Sequence, residues 1–175
     1  MSRARKLLNL IEAADYLQIV NKTARSAGAV GKRAIVPRYV ASIATPSDKI
    51  LDYGAGPKAI HTEMLRNQGL DVTAWEIGKN FVKGVHDINA LKRTYDIVYA
   101  SNVLNVQPSK KYIEKVVSRI SKLVRPGGKF VCNYPISPRK SDVSAEELIE
   151  LLIKYFRKVE RCGGTKKAPL LVCFK

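Results

Sequence analysis

The chain has 175 residues, 46% hydrophobic and 26% charged, which suits one folded domain and excludes wholesale disorder. Its net charge is +16, spread unevenly: 9 basic and 3 acidic residues over 1–49, 6 and 6 over 50–106, and 16 and 6 over 107–175. A neutral centre between basic flanks points to a pocket segment and a separate surface for a polyanion, and no apolar run approaches the roughly 18 residues of a membrane span.

Apolar residues at Leu7, Leu8, Ile11, Ala14 and Leu17 have helical spacing over 2–20. Asn9, Glu12 and Asp15 interrupt any signal-peptide core there. Residues 21–37 have turn composition, and a short helix is expected over 39–44. From Lys49 strands and helices alternate. Strands are expected at 49–53, 71–75, 84–86, 95–100 and 129–134, with helices over 57–68 and 109–124. Pro126-Gly127-Gly128 is expected to stop the second helix. Ser144 and Glu147 form a capping box that opens a helix reaching about 155. Two last strands, 156–162 and 170–174, have no helix between them, so they pair antiparallel. The expected fold is α/β, a mostly parallel seven-stranded sheet with a C-terminal antiparallel strand and helices on both faces. Residues 1–47 read as a helical, basic extension and 48–175 as the domain proper.

The chemistry concentrates in Ile50-Leu51-Asp52-Tyr53-Gly54-Ala55-Gly56. A strand runs into a glycine turn and then a helix. Gly54 and Gly56 permit close approach of backbone to a ligand. Asp52 suits a cationic ligand better than a pyrophosphate. Glu76 ends the second strand at a spacing that fits a ribose. Asp87 can accept from an exocyclic amine, and Ile88 can pack on the ring. Asp52, Glu76 and Asp87 each follow an expected strand, so they are expected to converge at one edge of the sheet.

With these residues the chain resembles the class I S-adenosylmethionine-dependent methyltransferases, over 50–56, 74–76, 85–88, 95–104 and 124–131. The resemblance implies a Rossmann-like fold and S-adenosylmethionine as cofactor. It implies that Asp52, Gly54 and Gly56 hold the methionine part, Glu76 the ribose, and Asp87 with Ile88 the adenine. Ser101 and Asn102 would lie beside the methyl group, with Asn102 the catalytic candidate. The chain departs from the family at Lys58, where a third glycine is frequent. A dinucleotide fingerprint would instead want glycine at Ala59.

The acceptor is less constrained. After the fourth strand stands Ser101-Asn102-Val103-Leu104, without the Asn/Asp-Pro-Pro-aromatic box of base-amino methyltransferases. No Pro-Cys nucleophile occurs. Tyr134 could stack a flat acceptor. Lys22, Arg25, Lys32, Arg33 and Arg38 could meet phosphates, and Lys111, Lys115, Arg119 and Lys122 form a ridge on one helix. Residues 23–39 and 103–106 have a looser likeness to methyltransferases associated with bacterial DNA phosphorothioation, which tilts a nucleic-acid acceptor toward DNA. A small molecule or protein is the alternative acceptor. A non-catalytic nucleic-acid-binding protein that keeps the cofactor fold is the other alternative. Cys132, Cys162 and Cys173, with two histidines, give no zinc or disulfide pattern, so no metal and a cytoplasmic location are expected, and the lack of a long apolar run leaves no membrane expected.

Overall fold

The computed structural model describes residues 13–22, 34–138, 141–166 and 168–175. Residues 13–22 are helical (α1). There follow α2 (Ile35–Ile43), β1 (Lys49–Tyr53), α3 (Ile60–Arg66), β2 (Asp71–Trp75), β3 (Tyr95–Ala100), α4 (Lys110–Leu123), β4 (Val124–Asn133), α5 (Ala145–Ile153), β5 (Lys158–Thr165) and β6 (Ala168–Phe174). The sheet order is β2-β1-β3-β4-β6-β5. β1, β2, β3 and β4 are parallel, and β6 pairs antiparallel with both β4 and β5.

Alternation along the strands sorts the core into two layers. Leu51, Val98 and Phe130 join Ile113, Val116, Val117 and Ile120 of α4 and Leu148, Leu151 and Leu152 of α5. Their neighbours Ile50, Ile97 and Val131 join Val36 and Val40 of α2 and Leu65 of α3. Helices therefore cover both faces, as a parallel sheet requires. The sequence division at 47/48 sets α2 apart, yet α2 packs on β3 and β4 and supplies core.

The sheet among the described residues has six strands, not the expected seven. The segment expected as the 84–86 strand makes one isolated bridge, Lys83 with His86. Gly84 turns the chain at φ +86°, and the N–H groups of Val85 and His86 both donate to the Val82 carbonyl. Those donors are therefore lost to a ladder, and contact with β2 reduces to Asp87 N–H donating to Ala74 O at 2.9 Å.

Other boundaries moved for local reasons. The helix expected over 57–68 shrinks to Ile60–Arg66, because Ala59 is left-handed at φ 43° and the chain turns before it. α4 stops at Leu123, but Pro126-Gly127-Gly128 lies inside β4, where the register against β3 slips between Tyr95 and Ile97. The final hairpin is tighter than expected, with β5 running to Thr165.

The capping box of α5 is present: Ser144 Oγ accepts from Glu147 N–H at 3.1 Å, and Glu147 Oε2 accepts from Ser144 N–H at 2.9 Å. Replacing Ser144 by Ala should cost about 1 kcal/mol in urea unfolding. An unchanged midpoint would show that tertiary packing alone sets the start of α5.

Candidate functional site

A cavity of about 350 Å³ opens at the carboxyl ends of β1, β2 and β3. That is the crevice where open α/β sheets bind ligands. Tyr53 and Trp75 end their strands as one wall, with ring centroids 4.5 Å apart. Tyr16 and Val20 of α1 form the facing wall. Tyr16 stacks on Tyr112 of α4, with centroids 5.3 Å apart. Asn21 Oδ1 accepts from Lys79 N–H at 2.9 Å, which ties the end of α1 to the loop after β2.

The turn after β1 is bonded to β2. Gly54 N–H and Ala55 N–H both donate to the Trp75 carbonyl, at 2.9 and 3.0 Å. Gly54 has φ +82°, and a Cβ there would lie 2.6 Å from Val103 Cγ2. Gly56 is held from two sides. Its N–H donates to Glu76 Oε2 at 2.8 Å, and its carbonyl meets His86 Nε2 at 2.9 Å. His86 Nδ1 accepts from Val82 N–H at 2.9 Å. An accepting Nδ1 leaves the proton on Nε2, so His86 is the neutral tautomer and Nε2 donates to Gly56.

Glu76 Oε1 accepts from Ile77 N–H at 2.8 Å, so both carboxylate oxygens already hold a backbone donor. Burial pushes the Glu76 pKa up, against those two bonds. Each oxygen keeps a further lone pair for ligand hydroxyls.

The three carboxylates expected to converge do not. Glu76 lines the cavity; Asp52 and Asp87 do not. Asp52 is 1% exposed and accepts from Thr62 Oγ1 of α3 at 2.8 Å. In β1 it alternates with Tyr53, so it faces away from the Tyr53 wall. Asp87 pairs with Arg93 and accepts from Asn89 N–H at 2.7 Å. Ile88 is 74% exposed and lies away from the cavity.

Gly54, Gly56, Ser101 and Asn102 line the cavity. Asn102 sits at φ 58°, and its N–H donates to Asn133 Oδ1 at 2.8 Å. Asn133 Nδ2 donates back to Asn102 Oδ1 at 2.7 Å. Tyr134, read as able to stack a flat acceptor, is fully buried, and its hydroxyl donates to the Val143 carbonyl at 2.8 Å. That ring is core, out of reach of an acceptor. Lys22 and Arg38 are exposed, whereas Arg25, Lys32 and Arg33 lie outside the described residues. Lys58 is exposed at the cavity mouth. His86 lies in the 85–88 stretch but was given no role there, and Asn133 was given none either.

The pattern of a family described as a methyltransferase domain matches residues 23–163. The chain belongs to the class I S-adenosylmethionine-dependent methyltransferases. No curated protein matches in sequence. Among solved structures, TehB from Haemophilus influenzae has 18% identity and a TM-score of 0.57, covering 79% of this chain and 61% of its own. The magnesium protoporphyrin IX methyltransferase of Synechocystis PCC 6803 has 13% identity and a TM-score of 0.62, covering 79% and 80%. The T. thermophilus 16S rRNA N2 G1207 methyltransferase has 16% identity and a TM-score of 0.59, covering 85% and 45%. At these identities the likeness is one of fold, and this chain spans less than two thirds of the first and third of these proteins.

S-adenosylmethionine, the cofactor of the family, fits the residues present. The cavity falls in the ~300–1,000 Å³ range of small-molecule sites. Gly54 and Gly56 put no side chain of their own into the turn, and a carboxylate with spare lone pairs stands at the next strand end. Among the described residues no cluster of His, Cys, Asp or Glu could hold a metal.

Two outcomes follow from this geometry. His86→Phe keeps the ring but loses both bonds, and should weaken S-adenosylmethionine binding about tenfold in calorimetry. Full affinity would show that Gly56 does not need His86. Burial raises the Asp52 pKa to about 6, against the opposing hydroxyls of Tyr99 and Thr62. An unfolded aspartate titrates near ~3.9. Between those values the folded state binds more protons, so stability falls as pH rises from about 4 to about 6. Asp52→Asn should remove about 2–3 kcal/mol of that fall in urea unfolding at successive pH values. An unaltered slope would place the titration elsewhere.

Proposed function

We propose that this chain methylates a nucleic acid, DNA ahead of RNA. The observation that carries the reading is a row of cations that meets the cavity wall. Lys111, Lys115, Arg119 and Lys122 are all exposed on α4. Arg119 Nη1 lies 3.5 Å from the hydroxyl of Tyr53, which lines the cavity. Lys115 lies over Tyr112, which stacks on Tyr16 of the opposite wall. A phosphate backbone following this row would bring its nucleotides to the cavity mouth. Lys22 adds charge at the end of α1. The looser likeness over 23–39 and 103–106 tilts the reading to DNA.

In this reading the turn at Gly54 and Gly56 holds the methionine end of S-adenosylmethionine, and Glu76 accepts from its ribose. Ser101 and Asn102 stand beside the transferred group. Asp87 would meet the adenine only after parting from Arg93, and Asp52 acts from behind the turn through α3. The bound cofactor supplies a methyl group already activated on a positively charged sulfur. Alignment is then the main task left to the protein. Tyr16, Tyr53 and Trp75 exclude water, and the bonded turn fixes the floor.

A small-molecule acceptor is the second reading. The aromatic walls of the cavity favour it, and the porphyrin methyltransferase shares the fold.

Labelled S-adenosylmethionine incubated with DNA, RNA, protein and metabolite fractions tests the choice. Label in DNA or RNA is expected; label confined to metabolites or protein would overturn the reading. Duplex affinity should also fall steeply with salt. Changing Lys111, Lys115 and Lys122 together to Gln should flatten the log–log salt slope by up to about 2.7. An unchanged slope would take nucleic acid off α4.

A further inference from the structure

Two unlike contacts seat α1 against the cavity. Toward its start, Tyr16 lines the cavity and stacks on Tyr112 of α4, with ring centroids 5.3 Å apart. The Tyr16 hydroxyl lies 3.5 Å from Gln107 Oε1, which follows β3. Val20 lines the cavity one turn further on. At its far end, Asn21 reaches the loop after β2. The Lys79 N–H can only donate, so the atom it meets at 2.9 Å is the Asn21 oxygen.

Gly78 makes room for that contact. Its φ is +68°, and a Cβ there would lie 2.5 Å from Asn21 Oδ1. A side chain at 78 would push the Asn21 oxygen off Lys79. The loop so held begins at Glu76, whose Oε1 accepts from Ile77 N–H at 2.8 Å. The grip on α1 and the carboxylate that faces the cavity therefore share one short segment, 76–79. α1 is also easily lifted. None of its residues 13–22 is buried, whereas α2 buries Val36 and Val40 completely. An element with little buried apolar surface opens at low free energy.

We propose that α1 is a strap that must lift for S-adenosylmethionine to enter and leave, and that Asn21 seated over Gly78 and Lys79 is its latch. A gate sets the rate of exchange in both directions, whereas a fixed wall sets only how long a ligand stays. The inference rests on the cofactor and on no particular acceptor. Calorimetry on the unaltered chain tests the cofactor, and exchange rates in variants test the strap.

Trp75 is the chain's single tryptophan and lines the cavity, so its fluorescence in stopped flow reports binding. S-adenosylhomocysteine, the demethylated cofactor, is the probe, since no turnover consumes it. Asn21→Ala removes the latch oxygen. Association and dissociation rates should both rise about fivefold, with the affinity kept within about threefold. An association rate unchanged or slower would overturn the strap and leave α1 a fixed wall. Asn21→Asp keeps an oxygen for Lys79 N–H, and its rates should stay within about twofold of the unaltered chain. Rates as fast as those of Asn21→Ala would take that bond out of the latch. Gly78→Ala should speed exchange as Asn21→Ala does, and the double variant no further, because either change alone removes the contact. Rate gains that multiply in the double variant would overturn the pairing of Asn21 with Gly78. The two Asn21 variants decide the matter even if Gly78→Ala does not fold.

Discussion

One residue governs the turn beside the cavity. Gly56 gives its N–H to Glu76 and its carbonyl to His86, and the turn before it gives two N–H groups to Trp75. A turn beside an open cavity has no ladder partners of its own, so its polar groups must be met from outside or by water. Here β2 and the segment after it meet them. The turn after β1 therefore takes its shape from β2. The same bonds explain why Glu76 stays inward-facing despite the cost of burial that raises its pKa.

The two faces of the sheet divide the work. Behind the turn, Asp52 and Thr62 tie β1 to α3 in a dry layer. In front, Tyr53 and Trp75 carry the cavity wall, and Arg119 links that wall to the exposed side of α4. Adjacent residues of β1 thus hold opposite jobs because a strand sends successive side chains to opposite faces. A charged row on a helix is usually only a solvated face. What distinguishes this one is its contact with Tyr53.

The fold was legible wherever local pattern and tertiary packing agreed. The apolar spacing of Ile113, Val116, Val117 and Ile120 sufficed for α4, and Ser144 with Glu147 sufficed for the start of α5. Tyr112 shared that spacing but left the core to stack on Tyr16, a contact across most of the chain that no local window contains. The strand at 84–86 failed because Gly84 redirected two donors into a turn. In the candidate site, Gly54, Gly56, Ser101 and Asn102 stood out in the motif and line the cavity. Asp52 and Asp87 stood out equally, yet strand alternation turned one away and Arg93 took the other. Tyr134 looked able to stack an acceptor because it follows a strand, but it is buried with its hydroxyl bonded to the Val143 carbonyl. The roles of His86, within the 85–88 stretch, and of Asn133 were invisible because they lie in whom these residues bond, which sequence spacing does not encode.

Among the described residues the six-stranded sheet ends in two rims, and a bare rim invites another chain to add a strand. This protein guards both. On one rim β2 is five residues long and begins at Asp71, which is paired with Lys49, while Asp87 N–H occupies the Ala74 carbonyl. On the other, β5 carries Lys158, Glu160 and Arg161 and a break in register near Gly163. Charge and irregularity at both borders disfavour edge-to-edge aggregation, so a sheet one strand short of its expected complement can remain a stable end point of folding.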